Sequence, residues 1–171
     1  MYTKDRHKRV KSSAEIFTSP KFIRRMLNFL DFNWNDINKT KTWIDPTCGT
    51  GNFLVELFKL GIPLENIYGV DIMSDNIKTA KNRLFNLAKT NNDKENEKIK
   101  QILDNNIKEG NAIDFDYSIW NDFDFIVGNP PYNGAVVKDS TIYGAIIKNV
   151  FNYLKINGQI AMIHKFKVVR N

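Results

Sequence analysis

A glycine-bearing loop and a later acidic residue have the spacing of a nucleotide-binding site. The loop is Asp45-Pro-Thr-Cys-Gly-Thr-Gly-Asn-Phe53, and Asp71 comes 20 residues after Gly51. In doubly wound sheets, glycines let the first strand-to-helix turn approach a ligand, and an acidic side chain further along reaches ribose hydroxyls. The pattern therefore predicts that Gly49, Gly51 and Asp71 bind a nucleoside-containing cofactor.

A second loop, Asn129-Pro-Pro-Tyr132, directly follows the apolar run Phe123–Val127 and Gly128. Proline has no backbone N–H, so carbonyl oxygens and the Asn129 side chain can present acceptors to one point without a competing donor. If the Asn129 side-chain oxygen and the Pro130 carbonyl each accept an N–H, a planar amine turns its lone pair toward an electrophile. The loop thus predicts a site that orients a planar amine.

Together these loops resemble the motifs of the adenine-N6 DNA methyltransferases, which use S-adenosylmethionine (SAM). The Asp45–Phe53 string looks like the SAM-binding motif of amino-methyltransferases and not like the dinucleotide motif Gly-x-Gly-x-x-Gly, and the resemblance covers roughly residues 15–165. It implies a Rossmann-like α/β SAM-dependent methyltransferase fold, with a mainly parallel sheet and helices on both faces. The implied activity is transfer of a methyl group from SAM to the N6 amine of adenine in DNA.

The resemblance also implies individual roles. Asp71 would accept both ribose hydroxyls, and Asp114 would bind the exocyclic amine of the cofactor's adenine. Phe17 and Thr18 would hold the methionine end of SAM, although Ser19 here separates the threonine from the usual proline. The implied cofactor residues are Phe17, Thr18, Asp45, Pro46, Cys48, Gly49, Gly51, Asp71, Ile72, Asp114 and Phe115, and no metal is expected.

The implied catalytic residues are Asn129, Pro130, Pro131 and Tyr132. Tyr132 would stack on the target adenine once that base has left the duplex, because the reacting nitrogen is inaccessible inside the helix. Relatives with the same loop methylate glutamine amides of release factors or base amines of RNA, and these substrates stay open as alternatives. The segment Glu15–Leu27 and the Asp45-Pro46 pair favour DNA adenine, and Asn129 argues against cytosine-N4 methylation, which usually goes with serine.

The residues around the loops predict alternating strands and helices, which favour a parallel sheet. Ser19 is placed to cap the first helix with Pro20 at its first position, and Ser74 is a candidate cap for a later helix. Thr90–Lys98 is polar and is expected to be a mobile loop or insertion. The predicted strands are 41–45, 66–72, 107–112, 123–127 and 159–163, and the predicted helices are 21–30, 52–60, 74–89 and 141–154.

Length and composition favour a single globular domain. A chain of 171 residues suits one α/β domain, so we expect a basic arm at 1–14 and a methyltransferase domain at 15–171. The net charge of +6 suits a polyanionic partner such as DNA. Cys48 is the single cysteine, and two histidines complete no zinc site. The chain has neither a long apolar run nor a secretory leader, which predicts a cytoplasmic protein.

The C-terminal end predicts an incomplete enzyme. Relatives continue with two more strands and a target-recognition region, which would follow Ile160–Ile163, so we expect a sheet truncated after about the fifth strand with an unpaired edge. Independent methylation of DNA within a restriction-modification or phage modification context is one interpretation. The alternative is a fragment or non-catalytic subunit that a C-terminal or target-recognition chain completes.

Overall fold

The computed structural model describes residues 18–35, 39–131 and 141–164, so the predicted arm at 1–14 lies outside the described residues. The strands are β1 (Trp43–Asp45), β2 (Ile67–Asp71), β3 (Ile107–Glu109), β4 (Phe123–Gly128) and β5 (Leu154–Met162). The helices are α1 (Pro20–Leu27), α2 (Asn52–Lys59), α3 (Ser74–Ala88), α4 (Asp93–Asn106) and α5 (Ile142–Phe151), with short 3-10 turns at Leu64–Asn66 and Tyr117–Ile119. None of the helices in these ranges is long and apolar enough to cross a membrane.

The five strands form one parallel sheet in the order β3-β2-β1-β4-β5. The chain begins at the central strand β1, moves outward through β2 and β3, and returns to β4 on the other side of β1. The carboxyl ends of β1 and β4 therefore flank the point where the strand order reverses, which is where doubly wound sheets bind ligands. This topology confirms the predicted Rossmann-like fold.

Side chains alternate between the two faces of the sheet and build a core on each. Trp43 and Phe125 enter one cluster and stack at 4.1 Å between ring centroids, while Ile44 and Ile126 enter the other. Residues of α1, α2, α3 and α4 cover the first face, and Val150 of α5 packs on the second. The central strands are thus buried between layers, which fixes the positions of their carboxyl ends.

The caps at two helix starts give one confirmed and one wrong prediction. Ser19 caps α1, its hydroxyl accepting the Phe22 N–H at 3.4 Å, and Pro20 is the first helical residue. Ser74 does not cap α3, because Met73 holds the cap position and makes no side-chain capping bond. The Asp71 carboxylate accepts the Met73 N–H at 2.9 Å instead.

The stretch predicted as a mobile loop or insertion at 90–98 contains the first turns of α4, so that prediction was wrong. The Asn92 side chain caps this helix by accepting the N–H groups of Lys94 and Glu95. The apolar residues that hold the helix, among them Ile99 and Leu103, come only after the polar stretch. The amino-terminal half of α4 is exposed to solvent, so it lacks the regularly spaced apolar residues from which a helix is predicted.

The last helix ends, and the last strand begins, earlier than predicted. The helix α5 ends at Phe151, with Thr141 as its cap, and β5 begins at Leu154 and not at 159. The pairing of β4 with β5 shifts register here, because the step from Phe123 to Phe125 on β4 lies opposite the step from Leu154 to Gln159 on β5, which is three residues longer. Such a bulge breaks the alternation that the sequence pattern relied on.

Candidate functional site

A cavity of about 380 Å³ lies where β1, β2, β3 and β4 end, within the size range of small-molecule sites. It brings together most of the residues that the sequence predicted for the cofactor and the amine. Those on its wall are Thr18, Asp45, Pro46, Cys48, Gly49, Asp71, Ile72, Asn129 and Pro131. The two loops identified in the sequence therefore face one space.

Asp71, at the end of β2, holds the glycine-bearing loop Asp45–Phe53, called the cofactor loop below. One carboxylate oxygen accepts the Gly49 N–H at 2.9 Å, and the other accepts the Met73 N–H at 2.9 Å and the Asn76 amide at 3.0 Å. The carboxylate lines the cavity, and when it is ionised its oxygens act only as acceptors. Gly49 has φ +53°, and a Cβ there would meet no atom within 4 Å. The loop backbone is thus open toward a ligand while Asp71 fixes its path.

Gly51 and Cys48 act differently from each other in the same loop. Gly51 is not on the cavity wall: it has φ +82° and precedes α2, and a Cβ there would lie 2.9 Å from the Ala80 Cβ. Its role is to let the loop pack against α3. Cys48 is on the wall but buried, and burial raises the pKa of its thiol, so the sulfur is a neutral packing group at neutral pH.

Asp45 is a buried carboxyl group at the end of β1, with only 2% of its surface exposed. The pKa of Asp45 is raised to about 8, chiefly by burial. The bond from the Thr47 N–H at 3.0 Å lowers this pKa, and the charge of nearby Asp71 raises it, so that about 8 is the net result. At neutral pH this group is therefore mostly protonated. A cation bound in the cavity would favour its ionised form.

The loop after β4 places Asn129 on the wall beside Thr18. The Asn129 amide nitrogen donates to the Thr18 hydroxyl oxygen at 3.0 Å, although the two residues are 111 positions apart. Pro131 is also on the wall, whereas Pro130 is buried and not part of it. Phe17 and Tyr132 lie outside the described residues, and their roles stay predictions.

Asp114 and Phe115 are not on the cavity wall, and Asp114 is exposed. The prediction placed Asp114 just beyond a strand ending at 112, but β3 ends at Glu109. The wall at this edge consists of residues 110–113, where the Asn111 side chain accepts the Ile113 N–H at 3.2 Å. Asn111 was missed, and its position just after the true end of β3 is the signal that identifies it.

Three features of the wall fit a nucleoside. Asp71 offers acceptors for hydroxyl groups, and the Gly49 backbone allows a close approach. Ile72 is 66% exposed next to Asp71, where a large apolar side chain can cover the face of a base. These features match the chemistry of SAM, whose bound sulfonium would supply an electrophilic methyl group.

Comparison with known proteins gives the same assignment. A family model described as a methyltransferase domain matches residues 37–167. The type II methyltransferase M.VspI from Vibrio sp. (strain 343) is 31% identical over 128 residues. That alignment covers 75% of this chain and 28% of M.VspI, so the chain spans little more than a quarter of this relative.

Solved structures share the fold at low sequence identity. TrmN from Thermus thermophilus superposes with a TM-score of 0.62 at 17% identity, over 89% of this chain and 40% of TrmN. The methyltransferase subunit of a type I restriction-modification system from Streptococcus thermophilus gives a TM-score of 0.60 at 17% identity, over 86% of this chain and 34% of that one. The chain belongs to the methyltransferase domain family, and its methyl donor is SAM.

Proposed function

We propose that this chain methylates the N6 amine of adenine in DNA, as part of a restriction-modification or phage modification system. The observation that carries the proposal is the position of Asn129 on the wall of the cofactor cavity. Its amide nitrogen is bonded to Thr18, which turns the side-chain oxygen away from Thr18. An amide oxygen can only accept a hydrogen bond, and the proposal assigns this one to a substrate N–H.

An adenine amine needs orientation more than it needs a strong base. Its lone pair is delocalised into the ring, and hydrogen bonds to two acceptors favour a tetrahedral nitrogen whose lone pair points at the methyl group. Asn129 and the Pro130 carbonyl supply those acceptors in this proposal, and Tyr132 supplies the stacking face. The methylated nitrogen becomes acidic and loses its proton to solvent, so no histidine is required.

DNA is favoured over other amines by sequence similarity and charge. The relative at 31% identity is named a type II methyltransferase, and the Asn129–Tyr132 loop resembles the motif of adenine-N6 enzymes. The net charge of +6 suits a phosphate backbone. The exposed side of α1 adds Lys21 and Arg25, and this helix has no acidic residue.

The test is methyl transfer from labelled SAM to unmodified duplex DNA by the 171-residue chain, with digestion to identify N6-methyladenine. Asn129→Ala is expected to lower kcat about 100- to 1000-fold, as loss of one preorganised hydrogen-bonding group does in other enzymes. Tyr132→Ala is expected to weaken substrate binding by about 1–3 kcal/mol, the value of one stacked base. Asn121→Ala is the matched control, because this exposed asparagine precedes the opposite end of β4.

SAM binding, measured by calorimetry, separates the cofactor site from the substrate. Asp71→Ala is expected to abolish SAM binding, and Asn129→Ala to leave it within a few-fold of the wild type. Label in RNA or protein but not in DNA would overturn the DNA assignment. SAM binding without transfer to any of these substrates would show that the chain is a partial enzyme, and methylation restored by a second chain would identify it as a subunit.

A further inference from the structure

Hydrogen bonds connect α3 to the loop that carries Asn129. The Arg83 guanidinium donates to the Thr50 carbonyl at 2.5 Å and to the Asn52 side-chain oxygen at 2.9 Å. The Asn52 amide nitrogen donates to the Thr18 carbonyl at 3.4 Å, and the Thr18 hydroxyl oxygen accepts the Asn129 amide at 3.0 Å. Arg83 is thus linked through Asn52 and Thr18 to Asn129, the first residue of the loop Asn129–Tyr132, which we call the amine-binding loop after its proposed role.

Chemistry fixes the direction of the first two links. A guanidinium group is only a donor and a backbone carbonyl is only an acceptor. Asn52 must therefore turn its oxygen to Arg83 and its nitrogen to Thr18, because rotating the amide by half a turn would break both bonds. The bond from Asn52 thus holds the backbone of Thr18. Rotation about χ1 of Thr18 then decides whether its hydroxyl oxygen reaches the Asn129 amide.

The cofactor loop is held from two sides. Asp71 at the end of β2 holds Gly49 by its N–H, and Arg83 on α3 holds Thr50 by its carbonyl. Thr50 lies between Gly49 and Gly51, which both have positive φ, and its carbonyl accepts the bond from Arg83. A planar donor with a fixed geometry suits this task better than an ammonium group.

We propose that Arg83 is a positioning residue that orients the Asn129 amide through Asn52 and Thr18, and so couples the cofactor loop to the amine-binding loop. The consequence for catalysis rests on the proposed function, whereas the coupling itself does not. Arg83 is half-buried; burial lowers the pKa of its guanidinium, and the charge of Glu56 raises it. Its Nη1 donates to neutral oxygens of the cofactor loop, which are the groups a positioning residue must hold.

The coupling is tested by NMR of the side-chain amides in the full chain, with the Asn52 and Asn129 signals assigned from Asn52→Asp and Asn129→Asp. A change at one residue is expected to affect the residues that follow it in the order Arg83, Asn52, Thr18 and Asn129, and not those that precede it. Arg83→Met is expected to shift the amide signals of both Asn52 and Asn129. It is also expected to speed solvent exchange of the Asn129 amide protons, but by less than the roughly 5- to 10-fold that corresponds to complete loss of one hydrogen bond. Thr18→Val keeps the Thr18 carbonyl and removes the hydroxyl, so it is expected to change Asn129 but not Asn52. Arg25→Met, an exposed arginine on α1, is the matched control.

Arg83→Lys keeps one donor and is expected to restore part of the Asn129 effect, and it replaces Arg83→Met if that variant does not fold. A folded Arg83 variant that leaves the Asn129 amide unchanged would overturn the coupling, as would a Thr18→Val effect that reaches Asn52. These readouts need no substrate. If Arg83 variants change the Asn129 amide in a chain that does not methylate DNA, the proposed function fails and this inference stands. If they leave that amide unchanged in a chain that does methylate DNA, this inference fails and the proposed function stands.

Discussion

Asp45→Asn is expected to change how the stability of the protein depends on pH. The wild-type carboxyl group has a pKa of about 8 when folded, because it is buried, and an ordinary pKa near 4 when the chain is unfolded. Between these values the folded protein holds a proton that the unfolded chain has released. Wild-type stability therefore falls as pH rises through this window, and the variant loses this dependence because its side-chain amide stays neutral.

The magnitude follows from one proton. A difference of one bound proton changes the free energy of unfolding by about 1.4 kcal/mol per pH unit, so between roughly pH 5.5 and pH 7 the Asp45→Asn variant gains about 2 kcal/mol relative to the wild type. For a domain of this length that corresponds to a relative gain in Tm of roughly 4–8 °C. Thermal unfolding of both proteins at several pH values measures it, with Asp104→Asn, an exposed carboxylate, as the control.

The cofactor provides a second arm of the same experiment. SAM carries a sulfonium charge, which favours the ionised form of Asp45, so saturating SAM is expected to flatten the wild-type pH dependence. S-adenosylhomocysteine lacks that charge and is expected to flatten it less. Unfolding curves of wild type and variant that stay parallel across this pH range would refute the reasoning, because they would mean that Asp45 is ionised in the folded protein.

Two further substitutions test the sheet and the loop. Burial alone would raise the pKa of Asp124, but bonds from two lysines and Thr42 lower it to about 2; Asp124→Asn should therefore cost about 1–3 kcal/mol at pH 7, and urea unfolding should show the difference shrinking as pH falls from about 4 toward 2. Gly51→Ala should cost about 1–3 kcal/mol, because φ is +82° and the new methyl group would meet Ala80. Gly144→Ala inside α5 should cost less, because Gly144 is helical and the new methyl group would meet only the Thr141 hydroxyl at 3.3 Å; equal Tm changes for the two glycines would contradict the assigned backbone role.

Local signals in the sequence were sufficient for the elements around the cofactor loop. Ser19 and Pro20 marked the start of α1, and the apolar run before Asp45 marked β1, because caps and buried strands depend on neighbouring residues. The same reasoning failed for α4, whose first turns at Asp93 are solvated and carry no apolar period. It also failed at β5, where the bulge opposite Asp124 interrupts the alternation.

The lining of the cavity was predicted where its residues lie within a motif and missed where they meet only in the folded chain. Asp71 and Asn129 could be identified from their loops. Asn52, by contrast, has no distinguishing feature in the sequence. Its partners Arg83 and Thr18 are 31 and 34 positions away, and only the fold brings them into contact with it. No spacing rule links such distant positions, so the contacts of the fold are needed to identify them.

The segment from Gly128 to Pro131, which includes the residues proposed to bind the amine, approaches the cofactor cavity at two points, and this bears on how methyl transfer is controlled. One is the bond from Asn129 to Thr18; the other is Gly128, where a Cβ would lie 2.5 Å from an Asp45 carboxyl oxygen. Methyl transfer requires the amine nitrogen and the methyl carbon to be aligned within a few tenths of an ångström, which separate, independently moving loops would not ensure. Because both contacts join this segment to residues that line the cofactor cavity, Thr18 and Asp45, a change in the cofactor site is expected to reach the orientation of the amine as well as the affinity for SAM.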